Sequence, residues 1–145
     1  MTQIDIEVTF DPPDLVQRMR NYPDKLEREM EQTMKQSLLH VQGSVPQYPS
    51  PPSGSSYVRT GTLGRSIGLG GQAEIYEVRR IGGGYEARLG TRLEYAPYVI
   101  GDKEQAWMHR GRWWTLKAVA EKAKPGIERL FEAMSKRLAA FLDGR

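Results

Sequence analysis

Ser66 lies in Gly64-Arg65-Ser66-Ile67-Gly68, the G-x-S-x-G spacing that in hydrolases places a serine hydroxyl on a sharp turn for nucleophilic attack. That chemistry needs a strand before the serine, a helix after it, and an acid and a histidine further along the chain. Here a Pro/Ser-rich stretch precedes Ser66 and a glycine cluster follows it, so the motif lacks its setting. The adjoining GLGGQA at 68–73 has the glycines of a dinucleotide-binding turn, but the residues after it alternate as strands instead of opening a helix. His40 and His109 are distant in sequence, and neither has the spacing of a metal-ligand pair. Asp and Glu are scattered, with no close pair in an apolar stretch. The remaining cluster has more content. Trp107, Trp113 and Trp114 are interleaved with His109, Arg110 and Arg112. Aromatics among cations are the footprint of base stacking on single-stranded nucleic acid. Three Trp in a small domain more often anchor a core or an interface. Both readings stand, and no catalytic, metal-binding or cofactor-binding residue is assigned.

The elements around these residues follow from periodicity. Ile4, Ile6, Val8 and Phe10 alternate with polar residues and predict a half-buried strand over 3–10. Asp11-Pro12-Pro13 ends it, and Asp11 can cap a short helical turn through Arg20. Leu26, Met30, Met34, Leu38 and Val41 recur at spacings of three and four, which predicts a helix over 23–42. Asp24 and Glu27 favour its N-terminus, His40 its C-terminus, and Gly43 stops it. Residues 45–56, VPQYPSPPSGSS, carry too much Pro for helix or central strand. They read as a flexible linker or as an arm that orders on a neighbouring subunit.

At 57–67 the chain reads YVRTGTLGRSI. Thr60 supplies a hydroxyl at a tight turn and Gly61 is free to take positive φ. Leu63 and Ile67 are four apart, on one side of a single helical turn. Thr60, Gly61, Leu63 and Ile67 therefore predict a structural turn that fixes where the loop re-enters the fold. Strands over 73–80 and 85–91 follow, joined by Ile81-Gly82-Gly83-Gly84 as an antiparallel hairpin. Tyr95, Pro97 and Tyr98 fall in a segment over 95–100 that reads as a turn or short strand, with Pro97 limiting helix. At the C-terminus, one apolar stripe covers Leu116, Val119, Ala120 and Ala123, and a second runs from Ile127 to Leu142. Pro125-Gly126 between them predicts a break. The stripe keeps its phase across it, so a kinked continuous helix is the alternative.

Together these elements predict one α+β domain over 1–145. A small antiparallel sheet packs against a long N-terminal helix and C-terminal helices, with a Pro/Ser-rich loop at 45–56. The absence of Cys excludes disulfides and thiolate chemistry. The opening MTQIDIEVTF is not a signal peptide, and no apolar run approaches a membrane span. The net charge of +3 is uneven: residues 110–145 carry 9 Lys/Arg against 4 Asp/Glu. That excess can face DNA, an acidic partner surface or water.

Thr60, Gly61, Leu63, Arg65, Ser66 and Ile67, followed by Tyr95, Ala96, Tyr98 and Val99, carry a resemblance. In their order, after a Pro-rich loop and around a Gly-punctuated hairpin, they resemble the tail-component or tail-completion proteins of long-tailed bacteriophages, which belong to the neck and head–tail junction. The resemblance covers about residues 24–140. Where the family often continues with an acidic residue, an aromatic, Gly-Thr and Pro-Phe, this chain reads IGDKEQAWMHRGRWW. The resemblance implies a structural, non-enzymatic phage or prophage protein without cofactor or small-molecule substrate. Its place would be the virion neck or tail, and the host cytoplasm during assembly. Its partners would be itself, as a ring homo-oligomer, and other neck or tail proteins, with DNA contact not expected. Candidate interface residues are Trp107, Trp113, Trp114, Arg110, Arg112, Tyr95 and Tyr98. The alternative is a small nucleic-acid-binding module using Trp113, Trp114 and the basic C-terminal part.

Overall fold

The computed structural model describes residues 2–7, 23–50, 53–54, 61–69 and 71–142. Among the described residues three strands form one antiparallel sheet: β1 (Thr2–Glu7), β2 (Ile75–Ile81) and β3 (Gly84–Thr91), in the order β1-β3-β2. Register explains why alternation in sequence becomes a two-sided sheet. Ile4 pairs with Leu89 and Leu89 with Tyr76; Ile6 pairs with Ala87 and Ala87 with Val78. These two apolar rungs face the helices, as expected where one face of an antiparallel sheet covers a core. On the other face Glu86 accepts from Arg79 at 2.9 Å and from Arg88 at 2.7 Å. The β2–β3 turn is Gly82-Gly83, with Gly82 at φ 54, a conformation that L side chains rarely adopt.

Helix α1 (Pro23–Gly43) lays Met30, Met34, Leu38 and Val41 into the core, on the predicted stripe. It ends where Ser44 bonds His40 O through both its N–H and its hydroxyl. The short α2 (Thr62–Ser66) and α3 (Ala96–Ile100) follow, and α4 (Leu116–Leu142) closes the chain. Helices α1 and α4 pack on each other and against the sheet. A second apolar cluster of Met30, Met134 and Leu138 extends the contact, and beside it Arg137 bonds the buried Glu29 at 2.8 Å. Burial pushes the Glu29 carboxyl up, but hydrogen bonds from Arg137 and Lys25 outweigh it and hold the group below its ordinary range.

The α+β class and the sheet-on-helices arrangement are as the sequence predicts, with two differences among the described residues. The predicted break at Pro125 is absent, and α4 is one helix of 27 residues. Pro125 lies on its exposed side, where the carbonyl it displaces can turn to water, and the stripe stays in phase on the buried side. Next to it, a Cβ on Gly126 would overlap the His40 ring, so glycine lets the end of α1 seat against α4. The segment over 95–100 is a helical turn, not a strand. Pro97 occupies the first turn of α3, where its missing N–H has no helical partner to lose. The strand at the N-terminus is described only to Glu7, so its predicted extension to Phe10 and the capped turn through Arg20 lie outside the described residues.

Candidate assembly interface

The chain between α3 and α4 has little regular structure, yet it is closely held. Ala106 N–H donates to Tyr98 O at 2.7 Å. The Gln105 side-chain amide donates to Val99 O at 2.7 Å and to Trp113 O at 3.1 Å, joining the two ends of the loop. Backbone bonds from His109 to Ala106, and from Arg112 and Trp113 to His109, wind it into successive turns, and Gly111 at φ 75 supplies the reversal. Arg110 Nε donates to Gln105 O at 3.2 Å. A loop bonded in this way pays little further ordering entropy when something docks on it.

It sorts its aromatics by side. Trp113 and Trp114 pack against the main core, with ring centroids 6.1 Å apart. Trp113 also meets Tyr48 at 5.3 Å and the edge of His109 at 6.1 Å. Trp107 by contrast is 79% exposed, followed by Met108 at 51%. Tyr98 is 55% exposed, and Tyr95 lies one turn before it in the chain and is exposed as well. The structure thus keeps Trp107, Tyr98 and Tyr95 outward with Arg110 and Arg112, and draws Trp113 and Trp114 inward. Met108 was not singled out by sequence, because a lone Met beside a Trp carries no periodic signal.

The turn residues are placed inward. Gly61 takes φ 76 and opens α2, Leu63 and Ile67 are buried, and Thr60 lies outside the described residues. Ser66, the residue of the G-x-S-x-G spacing, is buried at the end of α2. Its hydroxyl donates to Leu63 O at 2.7 Å and accepts from Thr91 at 2.7 Å, while Thr91 Oγ1 accepts the Leu93 N–H at 3.1 Å. That relay commits both hydroxyls to joining the turn to the end of β3. A separate groove of about 510 Å3 between β1 and α4 is lined by Ile4, Ile6, Ala120, Ile127 and Phe131, with Lys124 and Glu128 among the charged groups.

Sequence reasoning missed how residues 45–50 are fixed. Val45 is buried in the core. Trp114 Nε1 donates to Gln47 O at 3.4 Å, Arg112 to Ser50 O at 3.0 Å, and the Gly64 N–H to the Tyr48 hydroxyl. Residues 45–50 of the Pro/Ser-rich loop are thus tethered to the fold at Val45, Gln47, Tyr48 and Ser50, which differs from a free linker, while Ser53 and Gly54 are exposed. The loop's remaining residues at 51–52 and 55–56 lie outside the described residues. The partners are more than 60 residues away in sequence for Arg112 and Trp114, beyond any local pattern.

No known protein family, no curated protein and no solved structure matches the chain.

Proposed function

We propose that the protein is a structural component of a long-tailed phage or prophage, of the neck or tail-completion type, that assembles through the Trp107 side of the loop. The observation that carries the assembly reading is a Trp 79% exposed on a loop whose backbone is already fixed, beside exposed Met108 and Tyr98. Exposed aromatics on a pre-ordered support have the makeup of an interface anchor, for which truncation typically costs about 2 kcal/mol or more. The neck or tail assignment rests on the sequence resemblance across Thr60–Ile67 and Tyr95–Val99. The partners under this reading are other copies of the chain and neighbouring neck or tail proteins, and the location is the virion.

The nucleic-acid alternative has less to draw on. Trp113 and Trp114 are engaged by the core, Tyr48 and the Gln47 carbonyl, so Trp107 alone among the three offers most of its ring for stacking. Light scattering on the purified chain over a concentration series is the test. Higher-order species that Trp107→Ala reduces to monomer are expected. A monomer at all concentrations, together with genomic neighbours other than portal, capsid and tail-tube genes, would sink the proposal.

A further inference from the structure

Trp107 and Met108 expose apolar surface, and the groove between β1 and α4 offers apolar walls from Ile4, Ile6, Ile127 and Phe131. A cavity of about 150 Å3 is enough to take a benzene ring. The groove, at about 510 Å3, therefore has room for an indole and a thioether side chain together. The two features also differ in charge. Among the described residues at the groove, Glu7, Glu121 and Glu128 stand against Lys124 alone. Beside Trp107, Arg110 and Arg112 are exposed and spend their donors on the carbonyls of Gln105 and Ser50, which leaves both positive charges uncompensated. Of the acids in the same loop, Asp102 faces Lys117 at 4.0 Å and Glu104 follows Lys103. An apolar centre within a rim of opposite charge is the makeup of a protein interface. Backbone bonds from Ala106 to Trp113 hold the loop in place, and Trp107 is not among the described residues that line the groove. An indole seated there belongs to another copy.

We propose that the Trp107–Met108 tip of one copy seats in the β1–α4 groove of the next, with Arg110 and Arg112 against Glu7, Glu121 and Glu128. The inference rests on the assembly reading above and names the surface that receives Trp107. A contact between two different surfaces leaves a free tip at one end and a free groove at the other. Copies therefore add head to tail, into a ring where the rotation closes and an open chain where it does not. A contact of Trp107 with Trp107 would stop at two copies.

Mixing two disabled chains tests it by light scattering. Trp107→Ala with Met108→Ala removes the tip and keeps the groove. Ala120→Trp fills the groove, which Ala120 lines half-buried, and keeps the tip. Each chain should be monomeric alone where the unaltered chain assembles, and their equimolar mixture should give one-to-one pairs and nothing larger. A mixture that stays monomeric overturns the inference. If Ala120→Trp alone assembles like the unaltered chain, the groove falls and the Trp107 interface stands. That is the result expected where Trp107 meets Trp107, or where another segment of the same chain fills the groove. An unaltered chain that is monomeric at all concentrations overturns the inference together with the self-assembly it rests on. If Ala120→Trp fails to fold, Glu121→Lys with Glu128→Lys decides, since both positions are exposed. Setting like charges opposite Arg110 and Arg112 should raise the concentration needed for assembly at least ten-fold, and an unchanged concentration overturns the groove.

Discussion

Two short stretches rich in turn residues, α2 with its flanks at 61–69 and the loop between α3 and α4, invite chemistry when read as sequence and end in opposite arrangements. The first spends its polar groups inward. Ser66 and Thr91 satisfy each other in the core, and Leu63 and Ile67 are buried beneath them. The second spends its polar groups along its own backbone, through Gln105 and the turns from Ala106 to Trp113, and leaves Trp107 and Met108 outside. Both are ordered by hydrogen bonds, so order alone does not separate a buried turn from a loop that exposes its aromatics. What distinguishes them is whether the apolar side chains are covered once the backbone is satisfied. The inward turn should therefore respond to substitution by losing stability, and the outward loop by losing association.

The largest loss of stability is expected at Leu63. Leu63→Ala removes a buried side chain from the main core and should cost about 2–5 kcal/mol in chemical denaturation. A near-neutral result would mean that the turn is not anchored as described. Ser66→Ala comes next, at roughly 1–3 kcal/mol, because it leaves the fully buried Thr91 hydroxyl without its acceptor and removes one of the two donors to Leu63 O, the Ile67 N–H remaining. That exceeds what an isolated turn hydroxyl would cost. Joint replacement Ser66→Ala, Thr91→Val should recover part of the loss, and strict additivity would show that the two are uncoupled.

Glu29 lies in neither stretch and serves as the control. Its carboxyl titrates lower in the folded chain than in the unfolded one, so its contribution is fully present above the unfolded value and is lost as pH falls through the folded one. Glu29→Gln should reduce stability near neutrality and converge on the unaltered protein in acid. Denaturant midpoints across that range measure it, and parallel curves would refute the assignment. Trp107→Ala should have the smallest effect on folding, within about 0.5 kcal/mol, as exposed positions usually do. If it instead unfolds the protein, the contrast between the two stretches collapses.

The parts of the fold that were legible in sequence are those whose signal is local and periodic. Met30, Met34, Leu38 and Val41 declare α1, and the alternation around Gly82-Gly83 declares the hairpin. Pro97 and Pro125 misled for one reason: the penalty of a proline depends on which N–H it removes and which way its face points, and spacing does not state this. Pro97 falls in a first turn and Pro125 toward solvent. Of the candidate site, the residue types were legible but their sides were not. Trp107 and Trp113 look alike in sequence; the Tyr48 ring and the Gln47 carbonyl, far upstream, help turn Trp113 and Trp114 inward. The Ser66–Thr91 relay is equally silent, since it joins residues 25 apart across two elements.

Among the described residues β3 is the middle strand, so β1 finds its sheet partner only some 85 positions later, where Ile4 pairs with Leu89. At ribosomal rates of about 5–20 residues per second, that is a wait of roughly 4–17 s for the first strand made. The hairpin of β2 and β3 has its partner almost at once. Of the three described strands, the one with the Ile4–Ile6 face thus waits longest for its ladder partner, and until then its edge is open to chaperones and like chains.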